Sequence, residues 1–119
     1  MRPAGWPAGL PEPDDPEFPQ RAIAWLLDLG PAEWRMSRVL REHPLALAFR
    51  ARYDVEARLE GARAAYAAAR AEISEVVEAS VVGALLASLE AEGARLVALQ
   101  REVALLEEAL RGRRWRPRL

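Results

Sequence analysis

From Leu45 onward the apolar residues fall into two stripes that share a spacing but not a phase, and this limits what the second half of the chain can become. The first stripe runs Leu45, Ala48, Arg52, Val55, Leu59, Ala62, Tyr66, Ala69, Ile73. The second runs Val82, Leu85, Leu89, Glu92, Leu96, Leu99, Val103, Leu106, Leu110. Steps of three and four alternate in both, which is the heptad seam of a helix packed along one side. Arg52 and Glu92 are the misfits. Extended in heptads, the first seam reaches Ser80, Gly83, Ala87, Glu90 and Ala94. The second stripe stands two residues away from those positions, roughly 200° around a helix at ~100° per residue. One unbroken helix would therefore aim its two apolar faces in opposite directions. A reversal of the chain between residues 74 and 80 lets them face each other. Neither glycine nor proline marks that reversal, so phase alone argues for it.

Antiparallel pairing of the stripes sets Tyr66 against Leu89, Leu59 against Leu96 and Val55 against Leu99. Glu92 then falls opposite Gly61 and Ala62, beside Arg58 or Arg63. Two readings of this misfit stand side by side. Glu92 and Arg63 form a buried ion pair that fixes the register, or Glu92 lies in water at the edge of the seam. Val81, Leu86, Val97 and Leu105 lie off the second stripe and need cover that two helices do not supply. The first helices, the N-terminal segment or a second copy of the chain must provide it. This predicts a homodimer, a helical bundle formed on dimerisation, with Leu86, Val97 and Leu105 as self-association anchors.

The first half is punctuated by proline. Pro3, Pro7, Pro11, Pro13, Pro16 and Pro19 exclude a helix or a central strand there. Residues 1–19 are expected to form an extended arm, either pinned to the helical body by Trp6, Leu10 and Phe18 or left as a loose tail. A first short helix is predicted over about Gln20 to Leu29, ended by Gly30. A second runs over about Pro31 to Glu42, with proline in its first turn. His43-Pro44 breaks the chain and opens the third helix. The fourth ends at about Arg111, before Gly112. The fold class is thus all-α: a long antiparallel helical hairpin plus two short N-terminal helices. The helical domain spans 20–112, and a basic tail spans 113–119.

Composition removes several function classes. With no cysteine there is no disulfide framework, thiolate zinc site or cysteine nucleophile. The lone histidine, His43, sits beside a proline and reads as a cap or solvent residue. Glu72, Glu75 and Glu78 recur every three residues, but a di-iron site needs Glu-x-x-His pairs on facing helices, and none exists. Glu107-Glu108 and Glu90-Ala91-Glu92 read as solvated faces. Ser37, Ser74, Ser80 and Ser88 lie outside any nucleophile elbow, and no glycine-rich phosphate loop is present. The expectation is a non-enzyme with no metal and no cofactor. No cluster of polar groups marks a small-molecule pocket. The opening residues lack the charge and apolar run of a signal peptide, and no apolar run is long enough for a membrane span, so the expected location is cytoplasmic and off the membrane.

A formal net charge of −1 makes the whole chain no magnet for nucleic acid. The ends differ, however. Glu12, Asp14, Asp15 and Glu17 make the start acidic, and Arg111 to Arg118 make the end basic. Arg113, Arg114, Trp115 and Arg116 combine cations with a stacking aromatic, a pattern suited to phosphates and bases or to a partner protein. The same arginines also complement the C-terminal dipole of the fourth helix, or pair with the acidic arm. Arg35, Arg38 and Arg41 on the second helix, after Gly30-Pro31, weakly resemble a helix-turn-helix.

Three runs carry a resemblance: Arg41-Glu42-His43-Pro44-Leu45-Ala46-Leu47-Ala48, Glu92-Gly93-Ala94-Arg95-Leu96, and Glu108-Ala109-Leu110-Arg111-Gly112-Arg113-Arg114-Trp115. Over roughly Arg21 to Leu119 the chain is similar to a group of small uncharacterised helical proteins from GC-rich bacteria. The resemblance implies a compact helical protein of bacterial origin and no activity. The functional expectation is a helical protein–protein interaction module. Its competitor is a small nucleic-acid-binding accessory protein using the arginine-rich tail.

Overall fold

The computed structural model describes residues 1–112, and all regular structure among them is helical. Helix α1 spans Phe18–Leu29, a 3₁₀ helix spans Ala32–Met36, and α2 spans Arg38–Glu42. Helices α3 and α4, the long pair, span Pro44–Ile73 and Ala79–Leu110. This is the all-α helical hairpin with short N-terminal helices that the two stripes predict. Contacts divide the chain into two units. One holds Met1–Asp54 and the described chain from Gln100, and the other holds Val55–Leu99.

The Val55–Leu99 unit is a pair of antiparallel helical segments. Its reversal falls at residues 74–78, inside the predicted window, and is built without glycine or proline. The Val76 and Val77 N–H groups both donate to the Ile73 carbonyl, and the Val81 N–H donates to the Glu78 carbonyl. The Ser74 hydroxyl donates to the Arg70 carbonyl, satisfying an acceptor that the end of α3 leaves open. Below the turn, Ala69, Val82 and Leu86 form a buried cluster, with Ile73 and Val77 packed against it. Val77 folds back as a plug, while Val76 at the apex is 79% exposed. The meeting of Ala69 with Leu86 is the antiparallel register read from the sequence.

In the other unit the proline-rich segment departs from expectation. It is not an extended arm but a succession of turns, each closed by a backbone hydrogen bond: Trp6 to Pro3, Leu10 to Pro7, Asp15 to Glu12 and Phe18 to Asp15. Proline favours this outcome because its fixed φ suits turns as well as extended chain. Trp6, Leu10 and Phe18 are buried, as the pinned alternative requires. The Trp6 indole donates to the Pro11 carbonyl at 3.0 Å, its ring tilts against Phe18 at 5.3 Å, and Arg2 Nη1 donates to the Leu10 carbonyl at 2.6 Å. Gly5, at φ +80°, passes beside Leu105, and a Cβ added there would stand 3.6 Å from the leucine side chain.

The single helix predicted over Pro31 to Glu42 is two pieces. Ser37 is the cause: its backbone is extended, and its hydroxyl accepts from the Leu40 N–H at 3.3 Å, starting α2 afresh. His43 caps α2, its N–H donating to the Val39 carbonyl. Leu26, Leu47, Val103 and Leu106 are among the largest fully buried side chains of this unit, each contributing about 1.5–3 kcal/mol. At the far end Gly112 takes φ +73° and closes α4 as the spacing predicts.

Gly30 is needed for a reason other than its place after a helix. A Cβ at this position would come within 2.1 Å of the Trp34 ring, which is buried and carries the Arg50 guanidinium at 5.1 Å on its face. The ring lies directly on the glycine backbone. Gly30→Ala is therefore expected to destabilise the protein by about 1–3 kcal/mol through overpacking, read as a lower urea midpoint with altered near-ultraviolet tryptophan signal. An unchanged midpoint would show that the ring has room to move.

Candidate interaction surface

Within the Val55–Leu99 unit, a groove of ≈ 350 Å³ opens between the two helices on the side of the Ala69–Val82–Leu86 cluster away from the turn. Its walls are Leu59, Ala62, Arg63 and Tyr66 from α3 and Leu89, Glu90, Gly93, Ala94 and Val97 from α4. The local sequence explains the opening. Ala62, Gly93 and Ala94 supply no bulk at mid-groove, and a Cβ at Gly93 would meet nothing within 4 Å. Leu59 and Val97 close one end, and Tyr66 and Leu89 the other. Leu59 and Ala62 are buried, whereas Tyr66 is 42% exposed. The lining is therefore mostly apolar, with one cation on the α3 rim and one anion on the α4 rim. Arg63 and Glu90 are both exposed.

The expected site residues are distributed unevenly around this surface. Val97 lines it. Leu86 does not: at 6% exposure it belongs to the hairpin's own core beside Ala69 and Val82, which removes it as a free self-association anchor. Leu105, in the other unit, is half-buried under Gly5, so the proline-rich segment covers it. Arg63 and Glu92 are not paired among the described residues. Gly93 and Glu90 face the groove, and Glu92 stands two residues, roughly 200°, around α4 from Glu90. The acid that shares the groove with Arg63 is thus Glu90. Arg113, Arg114, Trp115 and Arg116 lie outside the described residues.

A shielded ion pair at a stripe misfit does occur, but in the other unit and at Arg52, for which the sequence predicted none. Arg52 Nε donates to Glu107 Oε1 at 2.7 Å, and Arg111 Nη2 donates to Glu107 Oε2 at 2.7 Å. The Glu107 side chain is only 7% exposed, so the reading of Glu107 as part of a solvated face is corrected. The Arg52 guanidinium also lies 4.8 Å from the Tyr53 ring and 5.5 Å from the Phe49 ring. The signal for this cluster was the arginine in an apolar stripe. Its partner was hidden because Glu107 sits one residue off the second stripe. Burial alone pushes Glu107 upward, but the two guanidinium groups override it and hold the carboxyl below its ordinary range. Burial raises Glu102. Each Glu107 oxygen accepts one guanidinium hydrogen bond, so the carboxylate is held as an ionised, charge-paired group.

Other candidate chemistry is committed locally. The Ser37 and Ser74 hydroxyls serve the backbone, and His43 is an exposed cap. Among the described residues no group of three or more histidine, aspartate or glutamate side chains is placed to hold a metal ion. No helix among them is long and apolar enough to cross a membrane. No family model matches the chain, and neither a curated protein nor a solved structure matches it.

Glu107 binds its proton less readily in the folded chain than in the unfolded one. Its contribution to stability is therefore complete above about pH 4.3, the ordinary glutamate value, and drains away as pH falls through its lower folded value. Glu107→Gln is expected to cost about 1–3 kcal/mol at neutral pH, with the difference from the parent chain shrinking in acid. Urea titrations between neutral pH and pH 3 measure this. A constant difference across that range would mean the carboxylate charge contributes nothing.

Proposed function

We propose that this chain is a non-enzymatic helical protein–protein interaction module that works through the groove of its Val55–Leu99 unit. One observation carries the reading. Two antiparallel helices bury only part of each stripe, with Val55, Leu59, Ala62 and Ala69 inside from the first and Val82 and Leu96 from the second, and the groove between Leu59–Tyr66 and Leu89–Val97 leaves apolar side chains without cover within that unit. Layered folds place a second element over such a surface. Tyr66 suits the role, since tyrosine supplies a large, stiff contact area with a polar tip and is enriched among residues that dominate binding energy. The groove's shape, long and floored by alanine and glycine, fits an apolar helix face better than a compact polar ligand.

A second reading rests on the run Arg111-Gly112-Arg113-Arg114-Trp115-Arg116, which gives the chain a nucleic-acid contact independent of the groove. Deleting residues 112–119 tests it: salt-sensitive retention on DNA or RNA that disappears with the deletion supports this reading, and retention that is absent or unaffected removes it.

Photo-crosslinking in the native cell tests the first reading. A benzophenone side chain at Ala94, in the groove, is expected to give discrete covalent adducts, whereas the same group at exposed Ala64, on the far side of α3, is not. No adducts at Ala94, or identical adducts at both positions, would contradict the assignment.

A further inference from the structure

The charges on the groove rims specify a partner. Arg63 and Arg70 stand on the α3 side, Arg70 lining a second recess nearer the turn with Ser74, Val82 and Gly83. Glu90 stands on the α4 side of the same groove, about 3 Å along the axis from the level of Arg63 in the register that pairs Tyr66 with Leu89, an offset that a long arginine side chain spans. Neither Arg63 nor Glu90 belongs to an ion pair among the described residues. A surface with a cation on one edge, an anion close to its level on the other and an apolar floor is complementary to itself under one particular two-fold rotation. If the axis runs along the hairpin in the plane of contact, α3 of each copy lies over α4 of the other and every residue keeps its level. Arg63 then meets the partner's Glu90, and Glu90 meets the partner's Arg63. An axis across the hairpin would instead stack α3 on α3, bringing like charges together at considerable cost.

Resting on the groove reading above, we propose that the occupant is a second copy of this chain, joined through a two-fold axis parallel to the helices into an antiparallel four-helix arrangement. Isologous pairing of this kind is the commonest route to a closed dimer. The small residues have a role in it. Tyr66 of each copy lies at the level of the other's Leu89 and packs against it, while Ala62, Gly93 and Ala94 let the two copies approach closely at mid-groove, large side chains alternating with small ones as in helical bundles. The two Arg63–Glu90 pairs flank this apolar centre and set the register. They do so at the rim, where charge selects the arrangement more than it adds affinity.

Sedimentation equilibrium of the purified chain, with circular dichroism to verify folding, tests the proposal. The parent chain is expected to be dimeric at micromolar concentration. Arg63→Glu alone and Glu90→Arg alone are each expected to weaken the dimer by about tenfold or more. Because each substitution creates two repulsive contacts in its own homodimer and none in the mixed dimer, an equimolar mixture of the two variants is expected to recover dimer, as is the chain carrying both. Tyr66→Ala is expected to weaken it without altering helicity. A parent chain that stays monomeric to hundreds of micromolar overturns the proposal. So does a dimer indifferent to both charge reversals, or one that the mixture fails to restore. If such a monomer nevertheless gave Ala94 adducts whose mass differs from twice that of the chain, the groove would still be an interaction surface, and only the second copy would be excluded.

Discussion

Burial of an apolar stripe on each of two helices is the constraint on which the Val55–Leu99 unit depends. The stripes are two residues out of phase, and a helix turns through slightly more than a right angle per residue, so one continuous helix cannot bury both stripes against the same neighbour. The chain resolves the conflict by reversing, at the cost of a turn made from residues with no special aptitude for one. Ser74 and Val77 make that turn workable. The first satisfies a helix-terminal carbonyl with its hydroxyl, and the second returns an apolar side chain to the Ala69–Val82–Leu86 cluster. The same pairing that buries the Ala69–Val82–Leu86 cluster leaves a groove where Ala62, Gly93 and Ala94 supply little bulk. The groove and the core are therefore two results of one seam.

Charge plays a different part in each unit. Around Glu107 a carboxylate is withdrawn from water and held by two guanidinium groups, one of which also covers an aromatic pair. Such an arrangement adds little net stability over well-packed apolar residues, but removing one member leaves an expensive buried charge. It thereby holds Arg52 and Glu107 to a single arrangement. At the groove, Arg63 and Glu90 stay in solvent and are free to meet something else. The proline-rich segment supplies the third contrast: its turns bring Trp6, Leu10 and Phe18 inward and leave Leu105 half-covered, so apolar surface in that unit is dealt with by the chain itself.

Helix type, the ends of α3 and α4 and the place of the reversal were legible because each depends on periodicity, proline or glycine. The break at Ser37 was not, since a serine within a helical pattern reads as tolerated until its hydroxyl is seen to cap a new turn. The compact course of residues 1–17 was also hidden, because proline is compatible with both extended chain and turns, and only the burial of Trp6 and Leu10 decides between them. Among the residues selected for lying off the stripe, Val97 lines the groove, while Leu86 serves the hairpin's own interior. Stripe position ranks burial poorly when the seam is wide. Arg52 was visible as a misfit, but its partner Glu107 looked like any solvated glutamate. Glu92 was assigned to Arg63 by level alone, without regard to the rotation that separates it from Glu90.

Methyl-to-methyl nuclear Overhauser contacts, measured on a mixture of isotope-labelled and unlabelled chain and filtered by origin, address the hairpin itself. A contact between the Ala69 and Leu86 methyl groups arising within one molecule is what this account requires. Finding that contact only between different molecules would mean that α3 and α4 run on as one rod and exchange partners, and the groove built on their reversal would not exist.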